Sequence, residues 1–337
     1  MKIGIVGAGA IGGMIGVKMA LAGAAVTLVD VGAHLAAIRE HGLKLIMADG
    51  GEQIAKDVRA VGSCAEAGKQ DVVFIALKTQ VIAAVAEDMR AMFGADTVVV
   101  PLQNGLPWWY FSKHGGEYEG QRIHTVDPTG AIGANIDVER IIGSVVYPAG
   151  YIKAPGIIQH VEGNRFPVGE LDGRESERAK RVAELFNNAG LKSFVIDNVR
   201  AEIWLKLLGN LSFNPISALT HATLVDICQH PLTRDLAAKM MTEASAIAAK
   251  LGIAMRVPIE KRIEGAEKVG KHKTSMLQDV EAGRPLELDA LIGAVIELGR
   301  LTATPTPYIE AVYACVKLLD KTMADGHAYV KVQPLGH

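Results

Sequence analysis

Two periodicities divide the chain. Four short runs, Ile3–Val6, Ala25–Val29, Asp71–Ala76 and Thr97–Val100, are apolar at nearly every position and rich in β-branched residues. Strands buried on both faces of a parallel sheet have this pattern. Between them, apolar residues recur at helical spacing over Ala10–Ala22, His34–Glu40 and Gln80–Met89. The alternation predicts a doubly wound α/β sheet. Residues 121–170 are richer in Gly, Val and Ile. Their runs Ile141–Tyr147, Gly156–His160 and Arg165–Gly169 predict added antiparallel strands that extend the sheet. A helix over Glu175–Ala189 and a strand over Lys192–Asp197 would close this part. After Asn198 the texture turns helical, over Ala201–Leu219, Leu232–Leu251 and Leu286–Leu301. The expected domains are therefore 1–198, α/β, and 199–327, all-helical, with a loose tail at 328–337. No Pro/Ser-rich linker separates them, which predicts close packing around a cleft.

Composition narrows the function. At 337 residues, two domains are affordable in size. A net charge of −2 leaves no electrostatic footprint for nucleic acid or an anionic membrane. No uninterrupted apolar stretch of about 18 residues predicts a membrane span. The apolar N-terminus is broken by glycines and carries only Lys2 as a basic flank, so it does not read as a signal peptide. Cys64, Cys228 and Cys315 are scattered, with no metal-ligand spacing. They suit small buried hydrophobes in a reducing cytoplasm, and no metal is expected.

The first predicted strand runs straight into Gly7-Ala8-Gly9-Ala10-Ile11-Gly12, and the second ends on Asp30. Strand, Gly-x-Gly-x-x-Gly, helix, strand and acid within about 30 residues is the order of a dinucleotide site. Gly7 makes the turn, Gly9 admits the pyrophosphate, and Gly12 lets helix and strand approach. The helix N-terminus favours the phosphate charge. Asp30 would accept hydrogen bonds from the adenosine ribose. Lys78, in Leu77-Lys78-Thr79, and Asn104, in Gln103-Asn104-Gly105, each follow a predicted strand. Ligands of open α/β sheets bind at those ends. Lys78 suits a phosphate or a substrate carboxylate. Asn104 suits the nicotinamide ribose or amide.

The helical half carries a polar stripe. Lys206, Asn210 and Asn214 are spaced four apart, on one helix face, among Trp204, Leu205, Leu207, Leu208, Leu211 and Phe213. Such a stripe needs partners, and a cleft wall is the favoured reading over a solvated face. If the first domain holds a nicotinamide, the chemistry is hydride transfer. Ketone reduction then needs a proton donor, which a lysine of lowered pKa supplies. Ser275, Asp279, Glu287 and Asp289 form a second polar cluster, and helix caps or surface acids are its ordinary reading. The aromatic segment Leu106-Pro-Trp-Trp-Tyr-Phe111 is either packing or the lining of a large pocket.

Together these residues resemble the ketopantoate reductase (2-dehydropantoate 2-reductase) family over about residues 1–320. The matching pieces are Gly7–Gly12, Ala76-Leu-Lys78-Thr-Gln80, Gln103-Asn104-Gly105, Trp204-Leu-Lys206 with Asn210 and Asn214-Pro215, and Ser275-Met-Leu-Gln-Asp279 with Glu287. The resemblance implies a Rossmann-like domain, a helical domain, and reduction of a 2-oxo acid, ketopantoate by preference, to D-pantoate. It implies Lys206 as general acid, with Glu287 hydrogen-bonded to it or to the substrate hydroxyl. Asn210, Asn214 and Ser275 would bind substrate, and Lys78 and Asn104 would line the cofactor side. Members commonly dimerise, so the resemblance leaves a homodimer open, while the sequence itself does not give the oligomeric state. One departure bears on the cofactor. Many NADP-using members resemble Ala-Arg-Gly after the second strand, whereas this chain has Val29-Asp30-Val31-Gly32. Asp30 would repel a 2′-phosphate, which predicts NAD(H). Arg39 or Lys44 keeps NADP(H) open. The same departure keeps open an NAD-linked D-2-hydroxy acid dehydrogenase for branched or aromatic 2-oxo acids. A non-catalytic dinucleotide-binding protein would need neither Lys206 nor the asparagines.

Overall fold

A computed structural model describes residues 1–333. The chain forms two compact units. The first comprises residues 1–103, 108–122 and 127–199. The second comprises 104–107, 123–126 and the chain from Arg200 onward.

Seven strands begin the first unit: β1 (Lys2–Val6), β2 (Ala25–Val29), β3 (Leu43–Ile46), β4 (Glu52–Ala55), β5 (Arg59–Val61), β6 (Gln70–Ile75) and β7 (Phe93–Pro101). Helices α1 (Ala10–Leu21), α2 (Gly32–His41), α3 (Cys64–Ala67) and α4 (Thr79–Met89) are interleaved with them. Five strands make a parallel sheet in the order β5-β2-β1-β6-β7. The order reverses at β1, where a ligand crevice opens in such sheets. Next come α5 (Ala131–Asn135), β8 (Gly143–Ser144), β9 (Ala149–Ala154), β10 (Ile157–Glu162), β11 (Val168–Gly169) and α6 (Glu177–Asn188).

The later strands do not simply extend the parallel sheet. The β9–β10 hairpin joins β3 and β4 in a separate sheet, β4-β3-β10-β9, in which β10 runs parallel to β3. Helix α1 packs between the two sheets. Its residues Gly12–Val17 are all buried, so it has no polar face to give to water. Strands β8 and β11 form a two-stranded ladder, tied to β7 by a single bridge between Val99 and Ile141. The expected strand over Lys192–Asp197 makes only isolated bridges, at Lys192 and Val195. Strands β3, β4 and β5 were not legible in the sequence. They are three or four residues long, each carrying one or two polar residues, and too short to show a period. Phe74, Phe166 and Phe186 anchor the core, with Phe166 and Phe186 stacked at 4.6 Å.

The second unit is helical: α7 (Val199–Thr220), α8 (Leu224–Gln229), α9 (Pro231–Lys250), α10 (Ile259–Val269), α11 (Ser275–Glu281), α12 (Ala294–Leu301) and α13 (Pro307–Gly326). The expected helix over Leu286–Leu301 starts later. A π-helical turn, Asp289–Gly293, precedes α12. Within the expected tail, the Val330 N–H bonds to the Val280 carbonyl of α11. Residues 334–337 of that tail lie outside the described residues. No helix among the described residues is long and apolar enough to cross a membrane.

Candidate active site

The glycine loop leaves β1 at Gly7, whose φ of +94° suits glycine alone. A Cβ on Gly12 would lie 1.9 Å from the Gly7 carbonyl oxygen and 2.8 Å from the Ala76 side chain. No larger residue lets α1 start this close to the sheet. A Cβ on Gly9 would meet nothing within 4 Å. The space above Gly9, at the N-terminus of α1, thus fits a pyrophosphate.

Asp30 does something the sequence did not suggest. Its Oδ2 accepts from the Ala8 N–H at 2.7 Å, and its Oδ1 accepts from the Val31 N–H at 2.7 Å. The carboxylate braces the glycine loop. Each oxygen keeps a second lone pair, so a ribose hydroxyl can still be accepted. His34 was missed as a loop residue. Its Nδ1 accepts from the Gly156 N–H at 3.1 Å, so Nε2 carries the proton and donates to the Ala8 carbonyl at 2.9 Å. These partners are 122 and 26 residues away, and no local pattern could reveal them. The two basic residues open to a 2′-phosphate are engaged elsewhere. Arg39 donates to the Ala60 carbonyl and lies 3.8 Å from Glu66, and Lys44 pairs with Glu52 at 2.6 Å. Lys78 immediately precedes α4 and is half-buried.

In the helical unit, Lys206 Nζ donates to Asn104 Oδ1 at 2.5 Å. Asn104 was expected on the cofactor; the structure puts its carbonyl on the lysine. Burial lowers the Lys206 pKa to about 8, with the nearby Glu287 carboxylate opposing the shift. Asn210 and Asn214 follow on the same helix, half-buried and buried respectively. Ser275 is exposed in the first turn of α11, whose N-cap is the Thr274 hydroxyl. Asp279 pairs with Arg284 at 2.7 Å, a structural use.

The loop that carries Asn104 is clamped. Gly105 has φ +80°, and a Cβ there would lie 2.3 Å from the Ala290 carbonyl oxygen. That same oxygen accepts the Leu106 N–H at 2.9 Å. Ala290 belongs to the π turn just after Glu287, and π turns frequently mark functional sites. Asp289, in the same turn, accepts from Tyr313 at 3.1 Å and Lys317 at 2.8 Å. One clamp therefore holds the partners of Lys206 on both flanks. The aromatic segment resolves as packing: Trp109 is 2%, Tyr110 0% and Phe111 1% exposed. Among the described residues, no cluster of three or more His, Cys, Asp or Glu is arranged to hold a metal.

A glycine-loop parallel sheet together with a helical unit bearing a desolvated lysine defines a dinucleotide-binding, two-unit α/β class. Comparison with known proteins makes this specific. Residues 3–173 match the family model described as Ketopantoate reductase PanE/ApbA, and residues 198–320 match its C-terminal model. A 2-dehydropantoate 2-reductase of Mesorhizobium japonicum is 52% identical over 320 residues, covering 95% of this chain and 98% of that protein. A structure from Ralstonia solanacearum MolK2, assigned as a ketopantoate reductase, superposes with TM-score 0.91 at 39% identity, covering 96% and 98% of the two chains. D-mandelate dehydrogenase shares the fold, with TM-score 0.83 at 22% identity and coverage of 96% and 100%. The chain belongs to the ketopantoate reductase family.

Proposed function

We propose that this protein reduces the 2-oxo group of ketopantoate to the hydroxyl of D-pantoate, with Lys206 as the proton donor. The observation that carries the reading is the partly buried Lys206 ammonium, held on Asn104 beside Glu287 with its pKa lowered to about 8. A bound reduced nicotinamide supplies the hydride to the carbonyl carbon. The Lys206 Nζ donates a proton to the carbonyl oxygen as negative charge develops there, and solvent later restores it. Asn104 aims the ammonium, and Glu287 keeps enough of it protonated near neutral pH. Asn210, Asn214 and Ser275 orient the 2-oxo acid through amide and hydroxyl hydrogen bonds.

The glycine loop, Lys78 and Asp30 hold the dinucleotide, with NAD(H) preferred over NADP(H). Asp30 supports that preference, because a 2′-phosphate would meet its charge. So do Arg39 and Lys44, which are already committed to other partners. The alternative of a dehydrogenase for bulky aromatic acids is not favoured, since the aromatic segment that suggested it is buried packing.

The test follows oxidation of NADH and, separately, NADPH with ketopantoate and several bulkier 2-oxo acids. Turnover of ketopantoate, with NADH favoured by about tenfold or more in kcat/KM, is expected. NADPH favoured by the same margin would overturn the role of Asp30. Turnover of bulkier acids without ketopantoate would overturn the substrate.

A further inference from the structure

The carboxyl ends of four strands are tied in one row. The Gly7 N–H bonds to Val29, Ala76 to Val6 and Leu102 to Ile75, each at 2.9 Å. This row places Asp30 after β2, the glycine loop after β1, Ala76 after β6 and Gln103 just past β7. In the proposed pose the pyrophosphate lies at the glycine loop and the adenosine ribose towards Asp30. The other half of the dinucleotide must then run the opposite way, across β6 towards β7. Two inter-strand spacings, roughly 10 Å, separate the glycine loop from the end of β7.

Gln103 stands at that end, and its side chain is anomalous. Both Oε1 and Nε2 are buried without a hydrogen-bond partner among the described residues. Gln70, by contrast, has an unpaired Oε1, but its Nε2 donates to the Ala67 and Gly68 carbonyls. An unpaired buried polar group costs about 1–3 kcal/mol. An amide with both its donor nitrogen and its acceptor oxygen unmet complements a second primary amide, which offers the same pair reversed.

We propose that Gln103 receives the nicotinamide carboxamide and fixes the orientation of the ring. The inference rests on the nicotinamide reading above. It gives consecutive residues separate duties: Gln103 holds the hydride donor, and Asn104 holds the proton donor Lys206.

The experiment compares wild-type protein with Gln103→Met, in which an apolar chain of similar length replaces the amide. Dissociation constants are measured by calorimetry for NADH, for ADP-ribose, which lacks the nicotinamide, and for the 3-acetylpyridine analogue of NADH, which lacks the carboxamide NH2. Thermal unfolding of the ligand-free proteins is measured alongside. Gln103→Met should bind NADH about tenfold more weakly or worse and ADP-ribose unchanged. Its ligand-free melting temperature should be equal or higher, because an unsatisfied amide is gone. Wild type should prefer NADH to the analogue, and the variant should lose that preference. NADH affinity within about twofold of wild type would overturn the proposal. So would parallel loss of ADP-ribose affinity with a lower melting temperature, the signature of a structural amide. The wild-type analogue comparison needs no variant, and equal affinity there would also overturn it. Wild type that binds ADP-ribose but gains nothing from the nicotinamide overturns the proposal while sparing the fold. Binding of neither ligand removes the cofactor reading itself.

Discussion

At the residue scale, Lys206 is the proposed proton donor, and in that role its protonation sets the pH range. A general acid works only while protonated. With a pKa of about 8, the reductive rate should be flat below that value and fall about tenfold per pH unit above it. A pH profile of kcat/KM for ketopantoate checks this, and a profile flat past pH 10 would remove Lys206 from the role. Lys206→Ala should lower kcat by about 10²–10⁴. NADH affinity, measured by calorimetry, should hardly change. Survival of activity within about threefold of wild type contradicts the assignment.

At the element scale, the π turn and the Asn104 loop act as one part. Gly105 is confined by φ and by the Ala290 backbone, which cannot swing aside as a flexible side chain would. Gly105→Ala should cost about 1–3 kcal/mol in backbone strain alone. It should also displace Asn104 from Lys206, and a displacement near 1 Å can lower kcat about a hundredfold. Denaturant unfolding and steady-state kinetics measure the two effects. A variant of normal stability and normal kcat would show that the clamp does not position the lysine.

At the scale of the whole molecule, stability depends on a buried ion pair that touches no site residue. Glu170 is 1% exposed, and Arg178 of α6 grips it with Nε at 2.6 Å and Nη2 at 2.5 Å. Arg178 also donates to the Glu139 carbonyl, joining α6 to a distant loop. Burial alone would raise the Glu170 pKa, but the bonds from Arg178 outweigh it and hold the carboxyl below its usual range. A lowered carboxylate pKa contributes stability at neutral pH that is lost as pH falls through the folded-state value. Glu170→Gln should therefore destabilise the protein by about 3 kcal/mol at pH 7, since it leaves a largely buried guanidinium uncompensated. The gap from wild type should shrink in acid. Urea unfolding at neutral and acidic pH measures it, and a gap independent of pH would count against the pair.

The sequence by itself determined the parallel sheet, the glycine loop and the helical second half. Each is a local matter: a short apolar run, glycines where no Cβ fits, and apolar residues at helical spacing. It also put Lys206, Asn210 and Asn214 on one face, because helical geometry alone does that. Tertiary structure decided the rest. It turned Asp30 and His34 onto the glycine loop, joined β3 and β10 across more than 100 residues, and placed Asn104 on Lys206. Those pairings depend on how distant backbones meet, and no periodicity along the chain encodes such a meeting. The lowered pKa of Lys206 belongs with them, because it is the surrounding protein that desolvates the ammonium.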